Sequence, residues 1–185
     1  DSAVKKYERK FNGRKTSQLR VSAKEIKEAR SKISREEVTA LQTMSARLSN
    51  SSPKIQIRGS RKFVAIPSVG CYIPGGQARY PSSVVMSVIP AKIAGVKRIV
   101  IVSPPDRDGK IDPLTIVAAK KCGATEIYKI GGAQAIGALA YGTKSIPKVD
   151  KIVGPGGKFV SIAKSLVSDQ TAIDMVAGPT ELGII

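Results

Sequence analysis

Four turns hold most of the residues in this chain whose types and spacing could do chemistry: Pro74-Gly75-Gly76, Pro104-Pro105, Gly131-Gly132 and Gly154-Pro-Gly-Gly157. Glycine lets peptide N–H groups come close to an anion, and a helix that starts just after such a turn adds free N–H groups and a positive dipole end. Three of the four turns are glycine-rich, so they suit a phosphate-bearing ligand, with a nucleotide the natural candidate. Tight turning alone would ask for the same glycines. Neither the G-x-G-x-x-G fingerprint nor the Gly-Lys-Ser/Thr ending of a P-loop stands at these turns. The acids nearby are Asp150, Asp174 and Glu181, and the chain contains no histidine with which to pair them. Acid–base chemistry near neutral pH and most transition-metal sites rely on histidine. No catalytic residue and no metal ligand is therefore assigned within the chain.

The elements that must position these turns follow from hydrophobic period. From residue 69 to 164 the chain repeats a short β-branched strand, a Gly/Pro turn and a helix. The strands are expected at 69–73, 98–102, 126–130 and 151–153, and the helices at 82–94, 112–122, 133–141 and 158–167. Strands alternating with helices imply right-handed crossovers and a parallel sheet covered on both faces, with the turns after the strands gathered on one edge. Asp112 followed by Pro113 is a helix start, and Gly95 and Gly123 stand where helices stop.

The front of the chain reads differently, as helices at 3–11, 22–33 and 34–48. Two capping boxes, Ser22 to Glu25 and Ser34 to Glu37, open the second and third. After the break Asn50-Ser-Ser-Pro53, alternating segments at 54–58 and 62–66 around Gly59-Ser60 read as a hairpin. The fold class is thus α/β: a Rossmann-like parallel-sheet lobe at 69–180, preceded by helices and a hairpin (1–68) that belong to a second, incomplete lobe. The closing run Glu181-Leu-Gly-Ile-Ile185 reads as the start of a strand returning to that first lobe.

The net charge of +17 is the loudest compositional signal. It concentrates in residues 1–62, which hold 17 Lys/Arg against 6 Asp/Glu, mixed at spacings suited to solvated helix faces. A lysine-rich surface accounts for it better than nucleic acid does, although a non-catalytic dinucleotide- or polyanion-binding protein is an alternative. Neither a membrane-length apolar run nor a secretion signal is present, which points to the cytoplasm and no membrane partner. Cys71 and Cys122 sit beside buried elements and read as free thiols.

The exact strings carry more. Val69-Gly-Cys-Tyr-Ile-Pro-Gly-Gly76, Pro81-Ser-Ser-Val84, Ile89-Pro-Ala-Lys-Ile-Ala-Gly95, Ser103-Pro-Pro105, Gly131-Gly-Ala-Gln-Ala-Ile136 and Ala138-Leu-Ala-Tyr-Gly-Thr143 come first. Val149-Asp-Lys-Ile152, Gly154-Pro-Gly156 and Ala172-Ile-Asp-Met-Val-Ala-Gly-Pro-Thr-Glu181 follow. In this order and at these spacings they resemble histidinol dehydrogenase, densely over 69–185 and more loosely in the helical front, and the chain looks like that family's amino-terminal portion. The resemblance implies a homodimeric enzyme that oxidises histidinol through histidinal to histidine in two NAD-dependent steps, with a zinc ion.

By the same resemblance, the cofactor-contacting positions fall on Tyr72, Gln134 and Gly157, and a substrate-contacting hydroxyl falls on Thr180. Gly157 stands where the family has Asn, and Thr180 where it has Ser. The first departure removes an amide; the second adds a methyl group, which also suits a related dehydrogenase of another small alcohol such as a hydroxy-sulfonate. Zinc ligands and the Glu-His proton-abstracting pair are expected downstream of this chain. The 185 residues alone are expected to be inactive.

Overall fold

The computed structural model describes residues 1–12, 18–51, 63–75 and 78–175. In chain order these are α1 (Ser2–Asn12), α2 (Ala23–Ser31), α3 (Arg35–Ser51), β1 (Ser68–Tyr72), α4 (Pro81–Ile93) and β2 (Arg98–Ser103). α5 (Pro113–Cys122), β3 (Glu126–Lys129), α6 (Gly132–Tyr141), β4 (Lys151–Val153), α7 (Lys158–Leu166) and β5 (Ala172–Ile173) follow.

The five strands form one sheet in the order β3-β2-β1-β4-β5, and every pairing is parallel. β1 lies between β2, its successor, and β4, so the strand order reverses direction there. The crevice outside the carboxyl ends of such a pair is where open α/β sheets bind ligands.

Both faces of β1 to β4 are apolar because each of these strands is covered twice. Val69, Cys71, Ile99, Ile101 and Ile127 pack with Val84, Val88, Val117 and Ala118 of α4 and α5. The alternate residues Tyr72, Val100, Val102, Tyr128 and Ile152 pack with Ile136, Leu139 and Val160 of α6 and α7. This is the period-2 alternation of a strand read on two buried faces. The front helices add an outer layer: Ala29 and Leu41 join the first cluster, and Val4 of α1 joins the second.

The central strands and helices lie where the sequence places them, and differences gather at the periphery. α3 runs on to Ser51 instead of stopping at 48, because the Ser49 and Ser51 hydroxyls donate to the carbonyls of Ser45 and Leu48 and satisfy the last turn. The Ser22 box forms in full, with Ser22 Oγ accepting from the Glu25 N–H at 3.2 Å and Glu25 Oε2 accepting from the Ser22 N–H at 2.8 Å. Residues 52–62, and with them most of the expected hairpin, lie outside the described residues. Residues 63–66, its second arm, form no strand. β5 was not expected. Leu19 and Val21 flank an antiparallel bridge between Arg20 and Tyr128, which lays residues 19–21 against the outer edge of β3. Both cysteines are free and buried; burial, reinforced by the charge of Asp174, pushes the Cys71 thiol up to about 12.

Candidate functional site

The site is the sheet edge where β1, β3 and β4 end. Tyr72 closes β1 with its side chain on the α6 face, 5% exposed. Its hydroxyl accepts the Gly132 N–H at 3.1 Å. Burial raises the phenol above its usual range; the Gly132 N–H opposes that rise, and the nearby Glu8 charge adds to it. Gln134, two residues into α6, donates its carboxamide nitrogen to Glu8 Oε1 at 2.8 Å, and the same oxygen accepts the Gly131 N–H at 3.0 Å. Two of the three cofactor positions suggested by resemblance thus meet in one cluster around the β3–α6 turn, organised by an acid from α1.

The third position lies on the other turn. Gly157 is the exposed residue before α7, with extended ψ and no side-chain cap on the helix. A Cβ built there meets nothing within 4 Å. Gly154, at the start of the same turn, is the opposite case: its φ is +111°, and a Cβ would stand 2.2 Å from the Tyr72 carbonyl oxygen. Only glycine lets β4 turn away this close to β1.

Gly154 is also held at both ends of its backbone. Its N–H donates to Asp174 Oδ2 at 2.8 Å, and its carbonyl accepts from the Lys164 ammonium at 3.1 Å. Lys164 and Asp174 are themselves ion-paired, with the lysine side chain 5% exposed. Burial would raise the Asp174 carboxyl; Lys164 and the N–H groups of Gly154 and Met175 more than offset this and hold it below the usual aspartate range.

That shift has a sign. A depressed carboxyl adds stability above its unfolded value, and the contribution is lost as pH falls through the folded one. The unfolding midpoint of the natural chain is expected to exceed that of D174N at neutral pH, with the gap closing as pH drops below the ordinary aspartate value of 3.8. Thermal melts across the acid range check this; a gap that persists undiminished into strong acid would contradict the pairing.

Two hollows flank the edge. One, of about 210 Å³, crosses the ends of β1 and β2 and is lined by Gly75, Arg79, Ser103, Pro104, Asp112 and Thr115. The other, of about 700 Å³, is apolar and runs from Gly154–Gly156 past Met86 and Pro90 to Phe63 and Ile66. Among the described residues the acids lining these hollows are committed: Asp106 accepts the N–H groups of Asp108 and Lys110, Asp112 caps α5 through the Thr115 N–H, and Asp174 is held by Lys164 and Gly154. Asp150 likewise accepts from the Ser68 hydroxyl at 2.6 Å.

A dinucleotide fits the edge, since Gly157 leaves space beside an uncapped helix start and the β1–β4 crevice adjoins it. Zinc does not fit this chain's described residues, which contain no group of three or more His, Cys, Asp or Glu able to hold a metal. Among the described residues no helix is long and apolar enough to cross a membrane. Thr180 and Glu181 lie outside the described residues.

Sequence reasoning passed over Glu8, Lys164 and the pairing of Asp174. Glu8 left one trace, since it falls one turn after Val4 on the inward face of α1, where an acid is out of place.

Comparisons with known proteins converge on one family. The family model described as histidinol dehydrogenase matches residues 1–185. A histidinol dehydrogenase of Geobacillus kaustophilus is 45% identical over 197 aligned positions, which span 100% of this chain and 46% of that protein. One from Bacillus cereus is 48% identical with the same coverage, and one from Methanocaldococcus jannaschii 44%. The crystal structure of histidinol dehydrogenase from Elizabethkingia anophelis superposes with a TM-score of 0.89 at 38% identity, over 97% of this chain and 44% of that one. The chain spans about half the length of the curated relatives it matches.

Proposed function

The chain belongs to the histidinol dehydrogenase family, and from that premise we propose that it forms the dinucleotide-binding part of an enzyme that oxidises histidinol, through histidinal, to histidine. The observation that carries the reading is the turn at Gly154–Gly157. It stands where the strand order reverses, touches the end of β1, and opens onto an uncapped helix.

NAD, when bound, supplies the hydride acceptor for each oxidation step. Gly157 and the α7 start would hold it on one side, and Tyr72 and Gln134 on the other. The Lys164–Asp174 pair fixes the backbone on which the cofactor rests. The sheet and the helices on both its faces keep water from the inner wall. Proton abstraction and zinc binding are proposed for residues outside this chain, because the described acids near this edge, Asp106, Asp112, Asp150 and Asp174, are committed to structural partners. Thr180 is proposed to meet the substrate hydroxyl or amine through its own hydroxyl. We also propose the division into a dinucleotide lobe at 69–180 and a companion lobe that includes 1–68, and assembly as a cytoplasmic homodimer.

Full-length protein mixed with NAD and histidinol is expected to form NADH and histidine, and the 185-residue chain alone none. NADH absorbance with chromatography of the amino acid product checks both. Turnover of a hydroxy-sulfonate without turnover of histidinol would replace the substrate in this reading.

A further inference from the structure

Glu8 is fully buried, at 0% exposure, and a buried acid persists only where hydrogen-bond donors compensate for its lost hydration. α1 packs on α6, which brings the side chain to the amino end of that helix. Glu8 Oε1 accepts the Gly131 N–H, and the next N–H in the turn, that of Gly132, goes to the Tyr72 hydroxyl. These are the peptide groups that a phosphate would use, and both are taken from inside the protein.

Glu8 also fixes which way Gln134 faces. An oxygen already accepting from Gly131 calls for a second donor, so Gln134 must turn its nitrogen to it, at 2.8 Å. Its carboxamide oxygen then lies over Gly132, 2.9 Å from the point where a Cβ of that glycine would stand. An amide oxygen only accepts, so a ligand group meeting it must donate.

We propose that Glu8 is a positioning residue of the cofactor edge, closing the β3–α6 turn to phosphate and presenting the Gln134 carboxamide oxygen to a hydroxyl or amino group of the nucleotide. This rests on the dinucleotide reading above. It divides the work between the turns: polar edges of a ribose, base or carboxamide at Gln134, and the diphosphate elsewhere along the edge.

The test uses full-length protein, with calorimetric titration of NAD and steady-state kinetics for the natural sequence, E8A, E8Q, Q134A and the double variants. E8A is expected to raise Kd and KM for NAD roughly tenfold with kcat unchanged, and E8Q, which keeps an accepting oxygen, to restore most of that loss. Q134A added to E8A should cost little more, because both substitutions remove one interaction. Unchanged NAD affinity in E8A, or full additivity with Q134A, overturns the proposal. Should E8A not fold, E8M, which fills the space without an accepting oxygen, takes its place in the cycle with Q134A by the same criterion: coupling supports, additivity overturns. Failure of the natural sequence to bind NAD would sink the cofactor reading itself and this proposal with it.

Discussion

Gly154→Ala is expected to cost about 4 kcal/mol of stability, the sum of a steric clash and backbone strain. That lowers the unfolding midpoint by on the order of 10 °C for a chain of this size. The added Cβ would stand 2.2 Å from the Tyr72 carbonyl oxygen and 3.1 Å from the Tyr72 nitrogen. Both are backbone atoms of a central strand, so no side chain can swing aside to relieve them. The φ of +111° adds a conformation that alanine resists. Gly157→Ala, in the same turn, is the control. With φ at −69° and nothing within 4 Å, it escapes clash and strain and should cost only the preference of a helix cap for glycine over alanine, about 1 kcal/mol or less. Calorimetry on the two variants checks the contrast, and equal midpoints would mean that β1 and β4 do not approach as described.

Gly157→Asn is expected to tighten NAD binding about tenfold, near 1.4 kcal/mol, by restoring an amide where the family resemblance places one. Space permits it, since a Cβ at 157 meets nothing. The local conformation permits it too, because Gly157 caps α7 with extended backbone and asparagine is among the preferred residues there. The substitution should therefore not harm stability while it gains affinity, which separates a ligand contact from a folding effect. Titration of NAD into full-length protein, paired with a melt of the unliganded variant, reads both. Unchanged affinity in a stable variant would show that this position makes no contact.

The part of this molecule legible in its sequence is the part governed by local pattern. β1 to β4 and α4 to α7 begin and end within a residue of expectation, because β-branched runs alternate with Gly/Pro turns and Asp112-Pro113 marks a helix start. β5 has two residues, too few to show any period. α3 overran its expected end because two serines near its close, Ser49 and Ser51, bond backward to carbonyls, a choice their composition does not reveal. The site divides in the same way. Tyr72, Gln134 and Gly157 came from resemblance to a family, and the structure unites the first two around Gly132. What joins them is an acid 126 positions before Gln134, which no local window contains. Asp174 looked unpaired for a related reason: its partner, Lys164, sits on a helix that reads as ordinary surface until the fold brings its ammonium to the residue after β5.

The strand order also bears on how the chain comes to fold. β1 meets β2 after 30 residues, Ser68 opposite Arg98, whereas the Ser68 hydroxyl finds Asp150 only after 82. Closing the longer loop costs about 1 kcal/mol more in chain entropy, and it must bring together ends separated by three helices. The β1-β2-β3 half can therefore gather from near neighbours, while β4 joins from a distance and brings the Gly154 turn with it. The pairing that creates the crevice is the least local in the sheet, so it is expected to be among the last to form as the protein folds.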